Sequence, residues 1–67
     1  MSNSTKKLID DIKRIRKEKG ISQAKLAGMC NMPQSTIGRI ENYSMNPSID
    51  IIIEILNALE VKIKLQK

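Results

Sequence analysis

The side chains best placed for chemistry lie on a short helix that the sequence predicts at residues 34–41. Its outward face carries Gln34, Ser35, Gly38 and Arg39. An amide, a hydroxyl and a guanidinium there can form hydrogen bonds with a polar partner. Small polar groups on the outward face of a short helix suit a helix that enters the major groove of DNA.

That helix belongs to a longer pattern, the stretch 23–42 with the sequence QAKLAGMCNMPQSTIGRIEN. The pattern predicts a first short helix at 23–29, a tight turn and the second short helix. Ala27 stands where the two helices must cross, because a larger side chain there would push them apart. Asn31 suits a left-handed turn and Pro33 suits a helix start. This is the layout of a helix-turn-helix.

Catalytic and metal chemistry find little support. The chain has no His and one Cys, Cys30, so a zinc site of Cys and His and an internal disulfide are both impossible. Asp10 and Asp11 are adjacent on a helix and diverge by about 100°, so we expect them to serve the helix dipole rather than form a catalytic pair. No glycine-rich phosphate loop is present. We predict no enzymatic activity, no metal and no cofactor.

Length and charge set further bounds. Sixty-seven residues allow one domain with one small core, and we assign 1–67 to it. Twelve Lys and Arg against seven Asp and Glu give a formal charge of +5, which suits a polyanionic partner or simply a soluble surface. No apolar run reaches the roughly 20 residues of a membrane span, and the N-terminus lacks an apolar signal region. We expect a cytoplasmic protein without membrane contact.

The elements around the motif are predicted to be helices. Residues 1–3 look like a frayed tail, Ser4 or Thr5 can cap a helix at 5–19, and Gly20 ends it. Its inward stripe at i, i+4 and i+7 would consist of Leu8, Ile12 and Ile15. Ser22 is the next expected cap. The positions expected to pack beneath the motif are Leu26, Ala27, Cys30, Met32, Ile37 and Ile40. For Cys30 a redox sensor is the rival to a small buried hydrophobe.

The fourth helix is expected at 48–59, capped by Ser48 after the loop 42–46. Its apolar side chains fill an arc of roughly 220° on a helical projection, beside a narrow polar stripe. A core of 67 residues cannot cover an arc of that width. The excess must therefore meet another surface.

The tail predicts a strand at 61–66, because apolar residues alternate there with Lys and Gln. A lone strand leaves its backbone groups unpaired, so we expect pairing with the same strand of a second copy, with a frayed tail as the alternative. The fold class is therefore all-α, a four-helix helix-turn-helix domain with a short C-terminal β-strand pairing across a homodimer. The expected dimer interface consists of Ile53, Leu56, Val61, Ile63 and Leu65.

Three motifs, RKEKGISQxxLA, PQSTIGRIEN and NPSID, resemble the phage-repressor class of helix-turn-helix proteins, the lambda and 434 repressor and Cro type, also called XRE-type. The resemblance covers about residues 8–59. It implies a repressor-type fold and an ion pair between Arg16 and Glu41, with a phosphate contact as the rival role of Arg16. Tyr43 stands where the family most often has Gly, and Asn31 where it usually has Gly.

The resemblance also implies which residues meet double-stranded DNA. Gln34 would read an adenine edge, Ser35 a nearby base or phosphate, and Arg39 a guanine or phosphate. Gln23 would grip a phosphate through its backbone N–H while its side chain braces Gln34. The other expected backbone contacts are Lys25, Thr36, Asn42, Ser44 and Asn46. For Thr36 packing within the helix, and for Lys25 simple solvation, remain the alternatives.

The ending LEVKIKL resembles antitoxins of kinase-like toxins, which join a four-helix repressor domain to a dimerising strand and repress their own operon. Prophage repressors and restriction-modification controllers share the same DNA-binding mechanism. We therefore predict a sequence-specific transcriptional regulator, a repressor that binds a palindromic operator as a homodimer. The alternative is an antitoxin or interaction module that binds a toxin or other partner through helix four and the strand.

Overall fold

The computed structural model describes residues 1–62, which form four helices. These are α1 (Asn3–Glu18), α2 (Gln23–Met29), α3 (Gln34–Glu41) and α4 (Ile49–Ala58). The all-α class is confirmed for this part of the chain, and α2 and α3 have the bounds that the sequence predicts. The predicted strand at 61–66 lies largely outside the described residues, because only its first two positions fall within them. None of the four helices has the length and hydrophobicity that crossing a bilayer requires.

The start of α1 differs from the prediction. Ser2, not Ser4 or Thr5, is the N-cap, and its hydroxyl accepts a hydrogen bond from the Thr5 N–H at 3.1 Å. The prediction of a frayed tail at 1–3 is therefore wrong for the cap and for the first helical residue. Hydroxyl residues at three nearby positions all suit a cap, and the one furthest upstream adds the most helical hydrogen bonds.

The buried face of α1 is also rotated from the predicted stripe. Ile9, Ile12 and Arg16 are buried, whereas Leu8 is 36% exposed and Ile15 is half-buried. Leu8 was therefore wrongly placed in the core. The rotation follows from a polar contact, because Arg16 points inward to bind the buried carboxylate of Glu41 on α3. This contact determines which side of α1 faces α3.

Local signals set the other helix boundaries as predicted. Gly20 follows α1 with φ +69°, and Asn31 makes the turn between α2 and α3 with φ +57°. Both are left-handed conformations, which Gly adopts freely and Asn tolerates. Ser22 and Ser48 are the N-caps of α2 and α4, and each hydroxyl accepts the N–H of the residue three positions on.

The core lies between the four helices. Its buried apolar side chains are Ile9, Ile12, Leu26, Ala27, Ile37, Ile40, Ile52, Ile55, Leu56 and Leu59. Cys30 packs against this core half-buried, and burial together with the nearby Glu54 carboxylate raises the pKa of its thiol. A raised pKa keeps the thiol protonated, which fits a small buried hydrophobe better than a redox sensor.

The wide apolar arc of α4 divides into a buried and an exposed side. Ile52, Ile55 and Leu56 point into the core, while Ile49 is 71% and Ile53 43% exposed. The prediction that put Leu56 in a dimer interface is wrong, because its side chain is only 4% exposed and fills the core of its own protomer. The apolar surface of α4 that the core leaves uncovered is thus centred on Ile49 and Ile53, which are one helical turn apart.

Candidate nucleic-acid interface

The outward face of α3 is polar and unengaged. Gln34, Ser35 and Arg39 are exposed, and none of these side chains forms a hydrogen bond or ion pair with another residue in 1–62. On the opposite side, Ile37 and Ile40 are each 1% exposed in the core. The helix therefore presents an amide, a hydroxyl and a guanidinium to solvent on a well-anchored backbone.

A buried ion pair fixes the C-terminal end of α3 to α1. The Arg16 Nε donates to one Glu41 carboxylate oxygen at 2.6 Å and its Nη2 donates to the other at 2.8 Å. The remaining Nη1 donates to the Ile21 carbonyl at 2.7 Å. Arg16 is 6% exposed, so the rival role of Arg16 as a phosphate contact is contradicted by its burial and by its three engaged nitrogens.

Two opposing effects act on the Glu41 carboxyl. Burial by itself raises its pKa, but the hydrogen bonds from Arg16 and Gln23, with the charge of Arg16, outweigh burial and hold the pKa below its ordinary value. The carboxylate therefore stays ionised at neutral pH. No buried side-chain nitrogen or oxygen among the described residues lacks a partner, and such full satisfaction is what a buried polar network requires.

Gln23 joins this network instead of contacting Gln34. Its Nε2 donates to the Glu41 carboxylate at 3.0 Å, so the predicted brace from Gln23 to Gln34 is not formed. The charged carboxylate of Glu41 is a stronger acceptor than a neutral amide. The other end of the Gln23 amide, Oε1, would lie 3.6 Å from a Cβ added at Gly38, which is an ordinary contact distance.

The candidate backbone contacts surround α3. Lys25 on α2 is exposed, and Thr36 on α3 is half-buried. In the loop after α3, the Asn42 side chain accepts the Ser44 N–H at 2.9 Å, which folds the loop back on itself. Asn46 is exposed at the end of this loop.

Tyr43 contributes a contact that the sequence analysis missed. Its φ is +67°, a left-handed conformation that is uncommon for a large side chain. The Tyr43 hydroxyl donates to a carboxylate oxygen of Asp10, and this hydrogen bond raises the pKa of the phenol. The Lys6 ammonium lies 5.7 Å from the ring centroid, within cation–π range. An aromatic residue at a position usually filled by Gly was the available signal.

Asp10 and Asp11 do not have the role predicted for them, which was to stabilise the helix dipole of α1. Neither lies in the first turn of α1, so neither serves the helix dipole there. Asp10 instead accepts from Tyr43, and Asp11 lies 3.6 Å from Arg14, which also binds Glu18 at 2.9 Å.

Charge is therefore divided unevenly over the described residues. Every acidic side chain on α1 and α3 has a partner, whereas the other acids, Asp50, Glu54 and Glu60, lie on α4 or just after it. Basic side chains on α1, α2 and α3, or at the C-cap of α1, without an ion pair in residues 1–62 are Lys6, Lys7, Lys13, Lys17, Lys19, Lys25 and Arg39. The excess positive charge of the described residues is therefore carried by the first three helices and the residues next to them rather than by α4.

The comparison with protein families agrees with this geometry. A family model described as helix-turn-helix matches residues 12–66, most of the chain. The match runs from the middle of α1 to beyond α4 and includes the whole of α2, the turn and α3. Comparisons with curated proteins and with solved structures found no significant match.

Proposed function

Because this chain belongs to the XRE-type helix-turn-helix family of DNA-binding transcription regulators, we propose that it is a repressor that binds a palindromic operator as a homodimer. Each protomer lays α3 in a major groove, and the two half-sites lie about 34 Å apart on one face of the duplex. Its place of action is the cytoplasm, at the nucleoid when it is bound to DNA.

The observation that carries this proposal is the unengaged polar face of α3. Gln34 offers an amide that matches the N6 and N7 edge of adenine, and Arg39 offers a fork that matches guanine or a phosphate. Ser35 contacts a neighbouring base or phosphate. All three project from a helix whose apolar side is buried and whose C-terminal end is held by the Arg16–Glu41 ion pair. Binding therefore needs to fix only the rotamers of these side chains.

The surrounding polar groups supply affinity rather than sequence preference. Their proposed phosphate contacts are the Gln23 N–H and the side chains of Lys25, Thr36, Asn42, Ser44 and Asn46. The unpaired basic side chains of α1 and α2 add to the attraction for the duplex. Binding should therefore weaken with salt, by ~0.9 log unit per log unit of salt for each phosphate neutralised.

Dimerisation is proposed to use the exposed apolar side of α4 and the tail. Ile49 and Ile53 supply the exposed area that one copy cannot cover by itself. Val61 already packs partly against the core of its own protomer. The contributions of Ile63 and Leu65, which lie outside the described residues, rest on the alternation in the sequence alone.

A selection from random DNA duplexes tests the proposal. The purified protein is incubated with the library at two salt concentrations, and the recovered duplexes are sequenced. We expect an inverted repeat with two half-sites separated by about one helical turn. A single half-site without symmetry would contradict the dimer, and binding without any motif that fades at the higher salt would contradict sequence-specific repression.

The exposure of Ile49 and Ile53 also favours a second candidate function, an antitoxin or interaction module that binds a toxin or other protein through α4 and the tail. Large exposed apolar side chains in a row are typical of a protein contact. Recovery of no DNA motif in the selection would move this function to first place. The two functions use different faces, so one chain can perform both.

A further inference from the structure

The contact between Tyr43 and α1 suggests a role that rests on the proposed function and deepens it. Tyr43 lies two residues after α3, in the loop assigned to the DNA backbone, and its backbone is left-handed at φ +67°. A bulky residue is held in this conformation only when its surroundings fix it. The backbone bonds that close α3 hold it there, because the Tyr43 N–H donates to the Ile40 carbonyl at 3.1 Å and the Ser44 N–H to the Arg39 carbonyl at 2.8 Å. The side chain adds the hydrogen bond to Asp10 and the Lys6 ammonium 5.7 Å from the ring centroid.

Burial does not explain the contact. Tyr43 is 41% exposed and is not part of the apolar core. Its ring adds little to the packing of the domain, while its hydroxyl reaches a residue 33 positions earlier in the chain. The contact therefore acts mainly on the geometry of the loop and of the end of α3.

Two side-chain contacts, which we call ties, join α1 to the C-terminal end of α3 and the loop that follows it. Glu41, the last residue of α3, binds Arg16, and Tyr43 binds Asp10. The two anchor residues on α1 are six positions apart, which corresponds to about 9 Å along the helix axis. The buried side chains of Ile37 and Ile40 already anchor the apolar side of α3 in the core. The Tyr43–Asp10 bond adds a second polar contact at its C-terminal end, which opposes movement of that end relative to α1.

The same loop is tightly folded behind Tyr43. The Ser44 and Met45 N–H groups donate to the Arg39 carbonyl at 2.8 and 3.2 Å, and the Asn42 side chain accepts from Ser44. Movement of Tyr43 would thus be transmitted to Arg39, one of the proposed base-reading residues. The hydrogen-exchange rates of the Ser44 and Met45 N–H groups therefore report whether the loop keeps this conformation.

We propose that Tyr43 is a positioning residue for DNA recognition, which fixes the angle of α3 and the shape of the loop 42–46 by tying them to Asp10. The hydroxyl acts through Asp10 and not by touching DNA. Its contribution is to specific binding, because non-specific attraction to phosphates does not depend on the angle of α3.

A charge-matched pair of variants separates this role from electrostatics. Asp10→Asn and Asp10→Ala both remove one negative charge, but only Asn retains an oxygen that accepts from the Tyr43 hydroxyl. We expect Asp10→Asn to bind the selected operator at least as tightly as the wild type. Asp10→Ala should bind it about fivefold to tenfold more weakly than Asp10→Asn, a loss of the size expected for one hydrogen bond.

Tyr43→Phe and the double variant Tyr43→Phe with Asp10→Ala complete the test. Tyr43→Phe should lower the ratio of operator to non-operator affinity in a fully folded protein, and the double variant should match Asp10→Ala. A merely structural role would lower the midpoint of thermal unfolding and leave that ratio unchanged. Equal binding by Asp10→Asn and Asp10→Ala would overturn the proposal, as would a double variant weaker than Asp10→Ala.

Hydrogen exchange in the free protein keeps the two proposals distinguishable. The Ser44 and Met45 amides should exchange faster in Tyr43→Phe and Asp10→Ala, and at the wild-type rate in Asp10→Asn. Unchanged exchange in all three variants would overturn the positioning role. If the wild type selects no operator but these amides respond as expected, the proposed repressor function fails and the tie itself stands.

Discussion

The outward faces of α3 and α4 differ in both chemistry and support. The face of α3 is polar, and its helix is tied to α1 through Glu41 and to the core through its apolar side. The face of α4 exposes Ile49 and Ile53 beside Asp50 and Glu54. The α3 face needs no second copy to support it, and its polar groups are free to bind a hydrogen-bonding partner. The other leaves apolar area uncovered, which a partner surface would have to bury.

The largest effect is expected from the network that supports α3. Arg16→Ala should destabilise the protein by about 3–5 kcal/mol, because it leaves the Glu41 carboxylate buried without its partner. Chemical denaturation monitored by circular dichroism measures this change. Arg14→Ala is the matched control on the same helix: Arg14 forms only exposed ion pairs, and its loss should change stability little. Similar losses for the two variants would contradict the importance of the buried network.

The exposed face of α4 gives the next largest effect. Ile53→Asp places a charge where we propose that two copies meet, so the apparent operator affinity should fall by about tenfold or more. Sedimentation of the free protein and titration of the operator measure the two consequences. Glu54→Gln, an exposed neighbour, serves as the control. A variant that is monomeric and still binds the operator as tightly as the wild type would exclude the proposed dimer.

Acid should weaken the ionic network that supports α3. The folded-state pKa of Glu41 is lowered, so its contribution to stability is complete above the ordinary carboxyl pKa of about 4.3 and is lost as the pH falls through the lower folded value. Unfolding free energies measured from pH 7 downward should therefore decline below about pH 4.5. Glu41→Gln should be less stable at pH 7 with a flatter acid limb, and an equally steep limb would point to other carboxylates.

The smallest effect is expected at Gly38, the residue on the outward face of α3 that has no side chain. Gly38→Ala should raise stability by up to about 1 kcal/mol, since Ala is the better helix residue and the added methyl meets Gln23 Oε1 only at an ordinary 3.6 Å. Thermal unfolding measures this gain. If the gain appears but operator affinity falls, Gly38 serves close approach to DNA. A loss of stability would contradict the conclusion that the added methyl makes only an ordinary contact at this position.

The two faces also differ in how far the sequence could predict them. The bounds of α2 and α3, the caps Ser22 and Ser48 and the left-handed Asn31 follow from local signals, because caps and turns depend on neighbouring residues. On α4 seven of the ten residues are apolar, so periodicity alone could not separate buried Leu56 from exposed Ile53. The number of apolar residues predicted that some side chains of α4 would lie outside the core, but it did not indicate which ones.

Long-range polar contacts were the other limit. The Tyr43 bond to Asp10 spans 33 residues and depends on the left-handed backbone of Tyr43, which no local pattern indicates for an aromatic residue. The Arg16–Glu41 pair was within reach only through a family resemblance. The partner of Gln23 was mistaken for a related reason, because competition between two acceptors is decided by the folded geometry.

Base reading by α3 is proposed to depend on Gln34. A parallel selection of random duplexes by the wild type and by Gln34→Ala tests this dependence. We expect Gln34→Ala to fold as the wild type does and to lose its preference at one position in each half-site, at a cost of about 1–3 kcal/mol for the preferred base pair. The other operator positions should remain unchanged. Recovery of the same operator, with the same preference at every position, would contradict base reading by this helix face.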